Sequence, residues 1–233
     1  MKNKKIDTQA LILCGGLGTR FKSVSSTFPK SLASVSGKPI LKWLIDDLVT
    51  MGISQIILCT GHMSKKIETF INGDYSDICI VSQENTQLGT GGAIKNAEKF
   101  IKSKQILILN GDSRIKFSFK LLLENHIKKN ADLSILVSSK TNGPEYGSIK
   151  FDNNFQVVDF KEKSKDEFHH YTNAGVYCMN KKLLKELKQN TIYSLENDLI
   201  PIWINRKNIF GFLVERPFLD IGTPERFKRA KFE

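Results

Sequence analysis

Residues 10–20 read ALILCGGLGTR, a short apolar run that breaks directly into a glycine-rich turn. The apolar run is typical of a buried strand. Three glycines stand within four positions of the turn: Gly15, Gly16 and Gly18. Because glycine has no Cβ, main-chain N–H groups can approach an anion closely there, and Arg20 and Lys30 add positive charge. The pattern predicts a strand followed by a turn whose main chain binds phosphate, and a triphosphate is the natural ligand.

Two better-known phosphate motifs do not fit this turn. A P-loop requires Gly-Lys-Ser/Thr after four intervening residues, but Arg20 and Phe21 stand five positions after Gly15 and Gly16. A dinucleotide fingerprint that starts at Gly16 would require Gly or Ala in place of Phe21. Without a ligand, the same glycines would serve as an ordinary tight turn between a strand and a helix.

Size and charge restrict the kind of protein. With 233 residues and 40% hydrophobic content, the chain can form one sizeable α/β core, so we expect a single domain. The formal net charge of +11 implies an acidic partner, which could be nucleic acid, an anionic membrane or a small phosphorylated substrate. The lysines are scattered and not interleaved with aromatic residues, which is typical of a solubilising surface; the kind of acidic partner stays open on this ground, although we expect no nucleic-acid partner.

Cysteine usage and the first residues bear on the compartment. The four cysteines, Cys14, Cys59, Cys79 and Cys178, form no Cys-x-x-Cys pair, which indicates buried thiols in a reducing environment. Residues 1–8 are charged, and the apolar run that follows is too short for a signal sequence or a membrane span. We therefore expect a cytoplasmic protein without a membrane partner.

The hydrophobic pattern changes midway along the chain. Predicted strands at residues 10–14, 56–60, 78–82 and 105–109 alternate with helices at 39–51, 63–71, 89–101 and 119–129, which indicates βαβ units. Strands then dominate at residues 134–138, 148–151, 157–161, 175–179 and 209–214. Helices are predicted at 182–189, at 194–205 and from 223 onward. We expect a mixed, mainly parallel sheet flanked by helices, whose second half closes over a crevice.

Several polar motifs follow predicted strands. Open α/β sheets bind ligands beyond the carboxyl ends of their strands, so the glycine loop, the turn at residues 89–92 and Asp112 would converge on one crevice. Asp220 is a second carboxylate among apolar neighbours. Two carboxylates together with substrate phosphates suit Mg²⁺. Either aspartate taken alone could instead be a turn former or a helix cap.

Six motifs together resemble the sugar-1-phosphate nucleotidylyltransferases. They are Leu13-Cys14-Gly15-Gly16-Leu17-Gly18-Thr19-Arg20 with Pro29-Lys30, Leu88-Gly89-Thr90-Gly91-Gly92-Ala93, Asn110-Gly111-Asp112, Glu162-Lys163, Asn173-Ala174-Gly175 and Asp220-Ile221-Gly222-Thr223-Pro224-Glu225. The resemblance covers nearly the whole chain. It implies a Rossmann-like nucleotidyltransferase fold of the nucleotide-diphospho-sugar transferase type. A nucleotide-binding half at about residues 8–130 and a sugar-binding half at 131–233 would form one domain.

The resemblance also implies roles for individual residues. The nucleotide would be bound by Leu13, Gly15, Gly16, Gly18, Thr19, Arg20, Lys30, Gln83, Gly89, Thr90 and Asp112. The sugar phosphate would be bound by Tyr146, Gly147, Glu162, Lys163, Asn173 and Gly175. Asp112 and Asp220 would hold Mg²⁺, and Arg20, Lys30 and Asp112 would be the catalytic residues.

The implied reaction joins two polyanions, a nucleoside triphosphate and a sugar 1-phosphate. No protein nucleophile is needed, because the attacking phosphate oxygen is already ionised. The short chain and the forms of the second and last motifs are similar to those of the branch that uses GTP and D-glycero-D-manno-heptose 1-phosphate. Uridylyl or cytidylyl transfer to another sugar 1-phosphate, a noncatalytic nucleotide-sugar binder and the question of a homo-oligomer stay open. Arg114 and Lys116 depart from the family pattern and raise the question of a substrate contact.

Overall fold

The computed structural model describes residues 8–16, 18, 21, 27–140, 143–163 and 170–231. The strands are β1 Gln9–Leu13, β2 Ser34–Val35, β3 Lys38–Pro39, β4 Ile56–Thr60, β5 Cys79–Gln83, β6 Gln105–Asn110, β7 Ser113–Arg114, β8 Leu133–Ser138, β9 Gly147–Phe151, β10 Val157–Glu162, β11 Tyr171–Asn180, β12 Ile209–Val214 and β13 Leu219–Asp220. The α-helices are α1 Ile40–Thr50, α2 Ser64–Ile71, α3 Gly89–Asn96, α4 Phe119–Lys128, α5 Ile200–Ile204 and α6 Pro224–Arg229.

Nine of these strands form one mixed sheet. The strands β10, β9, β11, β6, β1, β4 and β5 lie side by side in that order, and β8 pairs with both β11 and β12. The pairs among β6, β1, β4 and β5 are parallel. The long strand β11 runs antiparallel to β6, β8 and β9 and so joins the parallel half to the rest of the sheet. The predicted α/β fold with a mixed sheet is confirmed.

Each face of the sheet carries its own hydrophobic layer. Side chains alternate between the two faces of a strand, so Ala10 and Ile12 pack on one face of β1 and Leu11 packs on the other. On the first face, α1 contributes Leu44 to the layer. On the second face, α5 contributes Trp203, which is 1% exposed. Helices on both faces leave the carboxyl ends of the parallel strands open for a site.

Three predicted helices differ from those observed. The segment predicted at 89–101 is α-helical only to Asn96 and continues as a 3₁₀-helix over Ala97–Phe100. The one predicted at 182–189 is a 3₁₀-helix, Lys181–Glu186. The one predicted at 194–205 is a π-helix, Leu195–Leu199, that runs into α5. Pro201 stands in the first turn of α5, a position that tolerates proline because the N–H groups of a first turn have no partner within the helix.

The cysteines are as the sequence predicts. All four thiols are free and buried. Burial raises the pKa of Cys14 and of Cys178 to about 12, which keeps these thiols protonated. Within the described ranges, no helix has the length and apolar character that crossing a membrane requires.

Candidate active site

A cleft of about 470 Å³ opens at the carboxyl edge of the parallel strands. It contains predicted site residues from every motif: Leu13, Gly15, Gly16, Gly18, Lys30, Gly89, Thr90, Asp112, Tyr146, Gly147, Glu162, Lys163, Asn173, Gly175 and Asp220. These residues come from β1, α3, β9, β10, β11 and β13, from a 3₁₀-helix that begins at Lys30 and from loops. Thr19 and Arg20 lie outside the described residues. The sheet therefore brings together motifs that are spread over about 200 residues of chain.

Gln83 is the predicted site residue that the structure does not bring to the cleft wall. It ends β5, is exposed, and its carbonyl oxygen accepts a hydrogen bond from Asn96 Nδ2 at 3.1 Å. The next residue, Glu84, lines the cleft instead. Successive side chains of an extended chain point to opposite sides, so a shift of one position exchanges the residue that faces the cleft. Gln83 therefore does not line this cleft, and its assignment to the nucleotide stays a prediction.

Lys30 and Asp112 meet in the cleft. The Lys30 ammonium donates a hydrogen bond to Asp112 Oδ2. The main chain of Asp112 is held as well, because its carbonyl oxygen accepts a hydrogen bond from the Ile221 N–H at 2.9 Å. This contact ties the turn after β6 to the segment that contains Asp220.

Asp220 lies next to Asp112 because two short strands pair. In the antiparallel pair β7–β13, Asp220 is opposite Ser113, the residue that follows Asp112. Burial raises the pKa of Asp220, and the neighbouring negative charge of Asp112 raises it further, while the Gly222 N–H bond opposes the rise. Arg226 Nη1 donates to Asp220 Oδ2. Two carboxylates, each with a cationic partner, therefore share one end of the cleft.

The wall beside Asp220 is aromatic and basic. The Arg226 guanidinium lies over the Tyr146 ring at 4.9 Å from its centre, and Phe218 packs edge-on against Tyr146 at 5.2 Å. Further along, Lys163 Nζ lies 3.0 Å from Glu162 Oε1. This wall presents both hydrogen-bonding groups and positive charge to the cleft.

The opposite wall is the turn at the start of α3. The Tyr193 carbonyl oxygen accepts hydrogen bonds from the N–H groups of Gly91 and Gly92, at 2.8 and 3.2 Å. Gly89 has a φ of +71°, and a Cβ there would lie 2.5 Å from the same carbonyl oxygen. Only glycine allows this close approach. Because these N–H groups are already bonded, the turn is rigid and presents its side chains and the Gly89 backbone to the cleft.

Arg114 does not contact the cleft. Its Nε and Nη2 donate to the two carboxylate oxygens of Asp47 at 2.7 and 2.8 Å, and its guanidinium lies 4.6 Å from the centre of the Trp43 ring. This bidentate, stacked arrangement anchors β7 to α1. Lys116 is exposed and lies outside the lining of the cleft. Neither basic residue is placed to bind a substrate there.

The cleft also contains polar residues that the sequence analysis missed: Glu84, Gln87, Ser194, Glu196, Asn197 and Arg226. The sequence could have indicated Arg226 as a site residue, because it lies in the first turn of the helix that follows the Asp220 motif. Nothing in the sequence indicated residues 194–197, since the apolar spacing there is that of an ordinary core helix. Burial raises the pKa of Glu84, although the Leu88 N–H bond opposes this effect.

A cleft at the carboxyl edge of a mixed sheet, with a glycine-rich turn after β1, is the architecture of a nucleotide-binding α/β protein. The sequence pattern of the Nucleotidyl transferase family matches residues 9–232, and the chain belongs to this family. The resemblance that the motifs indicated is confirmed at this level.

Individual relatives match over almost their full length. The chain is 35% identical over 228 residues to a D-glycero-alpha-D-manno-heptose 1-phosphate guanylyltransferase of Aneurinibacillus thermoaerophilus, covering 97% of both chains. It is 31% identical to the protein of the same description in Campylobacter jejuni, covering 94% of this chain and 96% of that one. Among solved structures, HddC from Yersinia pseudotuberculosis in complex with GMP-PN is similar, with 33% identity, a TM-score of 0.82 and coverage of 95% and 97% of the two chains.

Proposed function

We propose that this protein transfers the guanylyl group of GTP to D-glycero-D-manno-heptose 1-phosphate and releases pyrophosphate. A phosphate oxygen of the sugar 1-phosphate attacks the α-phosphorus, the new phosphorus–oxygen bond forms, and the bond to the β-phosphate bridging oxygen breaks. The observation that supports this reaction best is the meeting of Lys30, Asp112 and Asp220 in one cleft with the glycine loop. The guanylyltransferase relatives support the choice of base and sugar.

Charge is the physical reason why this cleft suits the reaction. Two polyanionic substrates must approach to about 3–3.5 Å between the reacting atoms, and their mutual repulsion opposes this. In our proposal Lys30 and Arg20 hold the triphosphate, and Lys163 holds the sugar phosphate. The positive charge of these side chains would also stabilise the charge that develops on the leaving pyrophosphate.

The two aspartates fit a divalent cation. Their oxygens are the ligands that Mg²⁺ prefers, and a bound cation would offset both the burial and the neighbouring charge of Asp112 that raise the pKa of Asp220. We propose that Asp112 and Asp220 hold Mg²⁺, which when bound would neutralise phosphate charge and orient the triphosphate. Lys30 and Arg226 keep both carboxylates in place around this site.

For the sugar side, we propose that Tyr146, Gly147 and Glu162 contact the sugar hydroxyls together with Asn173 and Gly175. Gly89 and Thr90 would contact the nucleotide on the opposite wall, together with Gln83 and Glu84. In this assignment the halves before and after about residue 130 bind the nucleotide and the sugar, respectively. We also propose a cytoplasmic location, which the free, buried thiols support.

The decisive experiment is a matrix of four nucleoside triphosphates against several sugar 1-phosphates, scored for pyrophosphate with Mg²⁺ present. We expect the highest rate for GTP with D-glycero-D-manno-heptose 1-phosphate, and no pyrophosphate after chelation until Mg²⁺ is restored. A higher rate with UTP or CTP, or with another sugar, would replace the proposed substrates. Binding of the product without pyrophosphate release in any combination would identify a noncatalytic binder.

A further inference from the structure

A buried carboxylate lies between the two walls of the cleft. Glu196 belongs to the π-helix Leu195–Leu199, lines the cleft and is 9% exposed. Among acidic side chains such burial is rare unless the carboxylate has hydrogen-bond partners. Both of its oxygens accept hydrogen bonds, and the donors come from different walls. The cleft therefore contains a carboxylate that connects its two sides.

One group of contacts leads to the wall at the start of α3. The Thr90 hydroxyl donates to Glu196 Oε2 at 2.7 Å, and the same hydroxyl oxygen accepts the Leu195 N–H at 2.7 Å. The Thr90 side chain is thereby held by two bonds in a single orientation. Thr90 follows Gly89, whose backbone is itself fixed against Tyr193. This wall is the one assigned to the nucleotide.

The other group of contacts leads to β11. The Tyr177 hydroxyl donates to Glu196 Oε1 at 3.0 Å, and the Asn173 Nδ2 donates to the Tyr177 oxygen at 2.7 Å. Asn173 Oδ1 then accepts the Gly175 N–H at 3.0 Å, where Gly175 has a φ of +71°. Tyr177 is completely buried, whereas Asn173 and Gly175 line the cleft. This wall is the one assigned to the sugar.

All these hydrogen bonds run in one direction. A carboxylate offers only acceptors, so the Tyr177 hydroxyl must donate to Glu196 and its oxygen must accept from Asn173. This order places the amide nitrogen of Asn173 toward Tyr177 and its oxygen toward Gly175. The Tyr177 hydroxyl, held by the Glu196 carboxylate, and the Gly175 N–H thus favour the same orientation of the Asn173 amide in the cleft.

We propose that Glu196 is a positioning residue that orients Thr90 on the nucleotide wall and Asn173 on the sugar wall at the same time. The inference rests on the proposed function, because it assigns the two walls to two substrates. Glu196 acts through the hydroxyl groups of Thr90 and Tyr177, whose hydrogen bonds it accepts, and does not contact the reacting atoms. Its location in a π-helix agrees with the frequent occurrence of these segments at functional sites.

The test uses isosteric variants that cut one connection each. Thr90→Val removes the nucleotide-side bond, Tyr177→Phe removes the sugar-side bond, and Glu196→Gln replaces one acceptor oxygen with a donor and so disturbs both. KM for each substrate and kcat are measured, and calorimetry gives the Kd of GTP and of the sugar phosphate separately. Asp198→Asn is the matched control, because Asp198 accepts the Ser194 N–H in the same π-helix but does not line the cleft.

We expect Glu196→Gln to lower kcat/KM by roughly 10- to 100-fold and to raise KM for both substrates, as loss of a supporting hydrogen-bond partner does at other sites. Tyr177→Phe should raise KM for the sugar phosphate, and Thr90→Val should raise KM for GTP. Adding Tyr177→Phe to Glu196→Gln should raise KM for the sugar phosphate no further. Asp198→Asn should lower the melting temperature and leave both KM values unchanged.

Two results would overturn the proposal. If Glu196→Gln lowers only the melting temperature, the residue supports the fold and not the site. If it affects only the sugar phosphate while Tyr177→Phe has no effect, Glu196 contacts the sugar directly. If the unaltered protein releases no pyrophosphate, the proposed function fails, and the Kd values then show by themselves whether Glu196 affects both binding walls.

Discussion

The Lys30 ammonium donates a hydrogen bond to the Asp112 carboxylate, although 82 residues separate the two in the chain. The Lys30 side chain is largely buried, at 16% exposed, whereas the Asp112 side chain is 36% exposed. Lys30 lies beside Gly18 of the phosphate loop, since a Cβ at Gly18 would be 3.9 Å from the Lys30 Cβ. The contact therefore places the loop and the carboxylate at one point of the cleft.

Removing either member of this pair should abolish most of the activity. We expect Lys30→Met and Asp112→Asn each to lower kcat by roughly 10² to 10³, because a fixed charge or a metal ligand at the transferred phosphate is lost. Pyrophosphate release measures the effect, and circular dichroism checks the fold. Lys120→Met and Asp74→Asn, at exposed positions outside the cleft, are the matched controls. Wild-type kcat in both cleft variants would remove these residues from the mechanism.

Gly89→Ala should destabilise the protein and weaken nucleotide binding. Its φ of +71° disfavours a side chain, and the new Cβ would lie 2.5 Å from the Tyr193 carbonyl oxygen. We expect a loss of about 2 kcal/mol or more in the free energy of unfolding, with a raised KM for GTP. Urea denaturation and steady-state kinetics measure these effects. Gly73→Ala is the control, since a Cβ there meets nothing within 4 Å. Equal stability of the two variants would contradict the close contact.

Arg114→Lys should affect stability and not substrate binding. An ammonium cannot reproduce the bidentate bond to Asp47 or the stacking on Trp43. The expected decrease in the free energy of unfolding is about 2 kcal/mol. Both KM values should stay at those of the wild type, because Arg114 does not line the cleft. Arg216→Lys, at an exposed position, gives the baseline for the same substitution. A raised KM for the sugar phosphate in Arg114→Lys would restore the substrate contact that the sequence left open.

His126 should make stability depend on pH. Burial lowers its pKa from 6.5 to about 4, and the ring lies between Ser134 Oγ and Gln105 Oε1, at 2.9 Å from each. The unfolded chain binds the proton below about pH 6.5, whereas the native protein binds it only below about pH 4. The contribution of neutral His126 to the free energy of unfolding is therefore complete above pH 6.5 and is lost as the pH falls toward 4.

The size of this effect can be measured with one variant. Between pH 7.5 and pH 4.5, wild-type protein should lose about 2 to 3 kcal/mol of unfolding free energy that His126→Gln does not lose. Urea denaturation at both pH values gives the difference, and contributions from other groups such as Asp132 cancel in the comparison. Parallel pH dependences in the two proteins would show that His126 does not carry the effect.

The parallel half of the fold could be predicted from local patterns in the sequence. Strands such as β4 and β6 are short apolar runs between turn residues, and the observed bounds of β4 are those predicted. Because parallel strands place their carboxyl ends at one edge, the glycine loop and Asp112 could be assigned to one crevice from the order of the elements along the chain. The family resemblance rested on these motifs together with those of the second half of the chain.

Other features depended on contacts between distant residues. Arg114 and Lys116 raised the question of a substrate contact, but Arg114 binds Asp47 on α1, and no periodicity in the sequence encodes that pairing. Gln83 and Glu84 differ by one position, and the end of β5 decides which of them faces the cleft. The π-helix that presents Glu196 lies directly before α5, and its apolar pattern gave no indication of a site.

Neighbouring residues in the chain were enough to specify the glycine loop, the succession of strands and helices along the chain, and the class of chemistry, because strand period, turn residues and missing Cβ atoms are local properties. Which side chains meet across the cleft was decided by the three-dimensional arrangement of the sheet. The β7–β13 pair brings Asp220 to Asp112, and β11 carries Asn173 into the site beside β6. Such contacts depend on strand order and register, which follow from the packing of the whole core and not from any single segment.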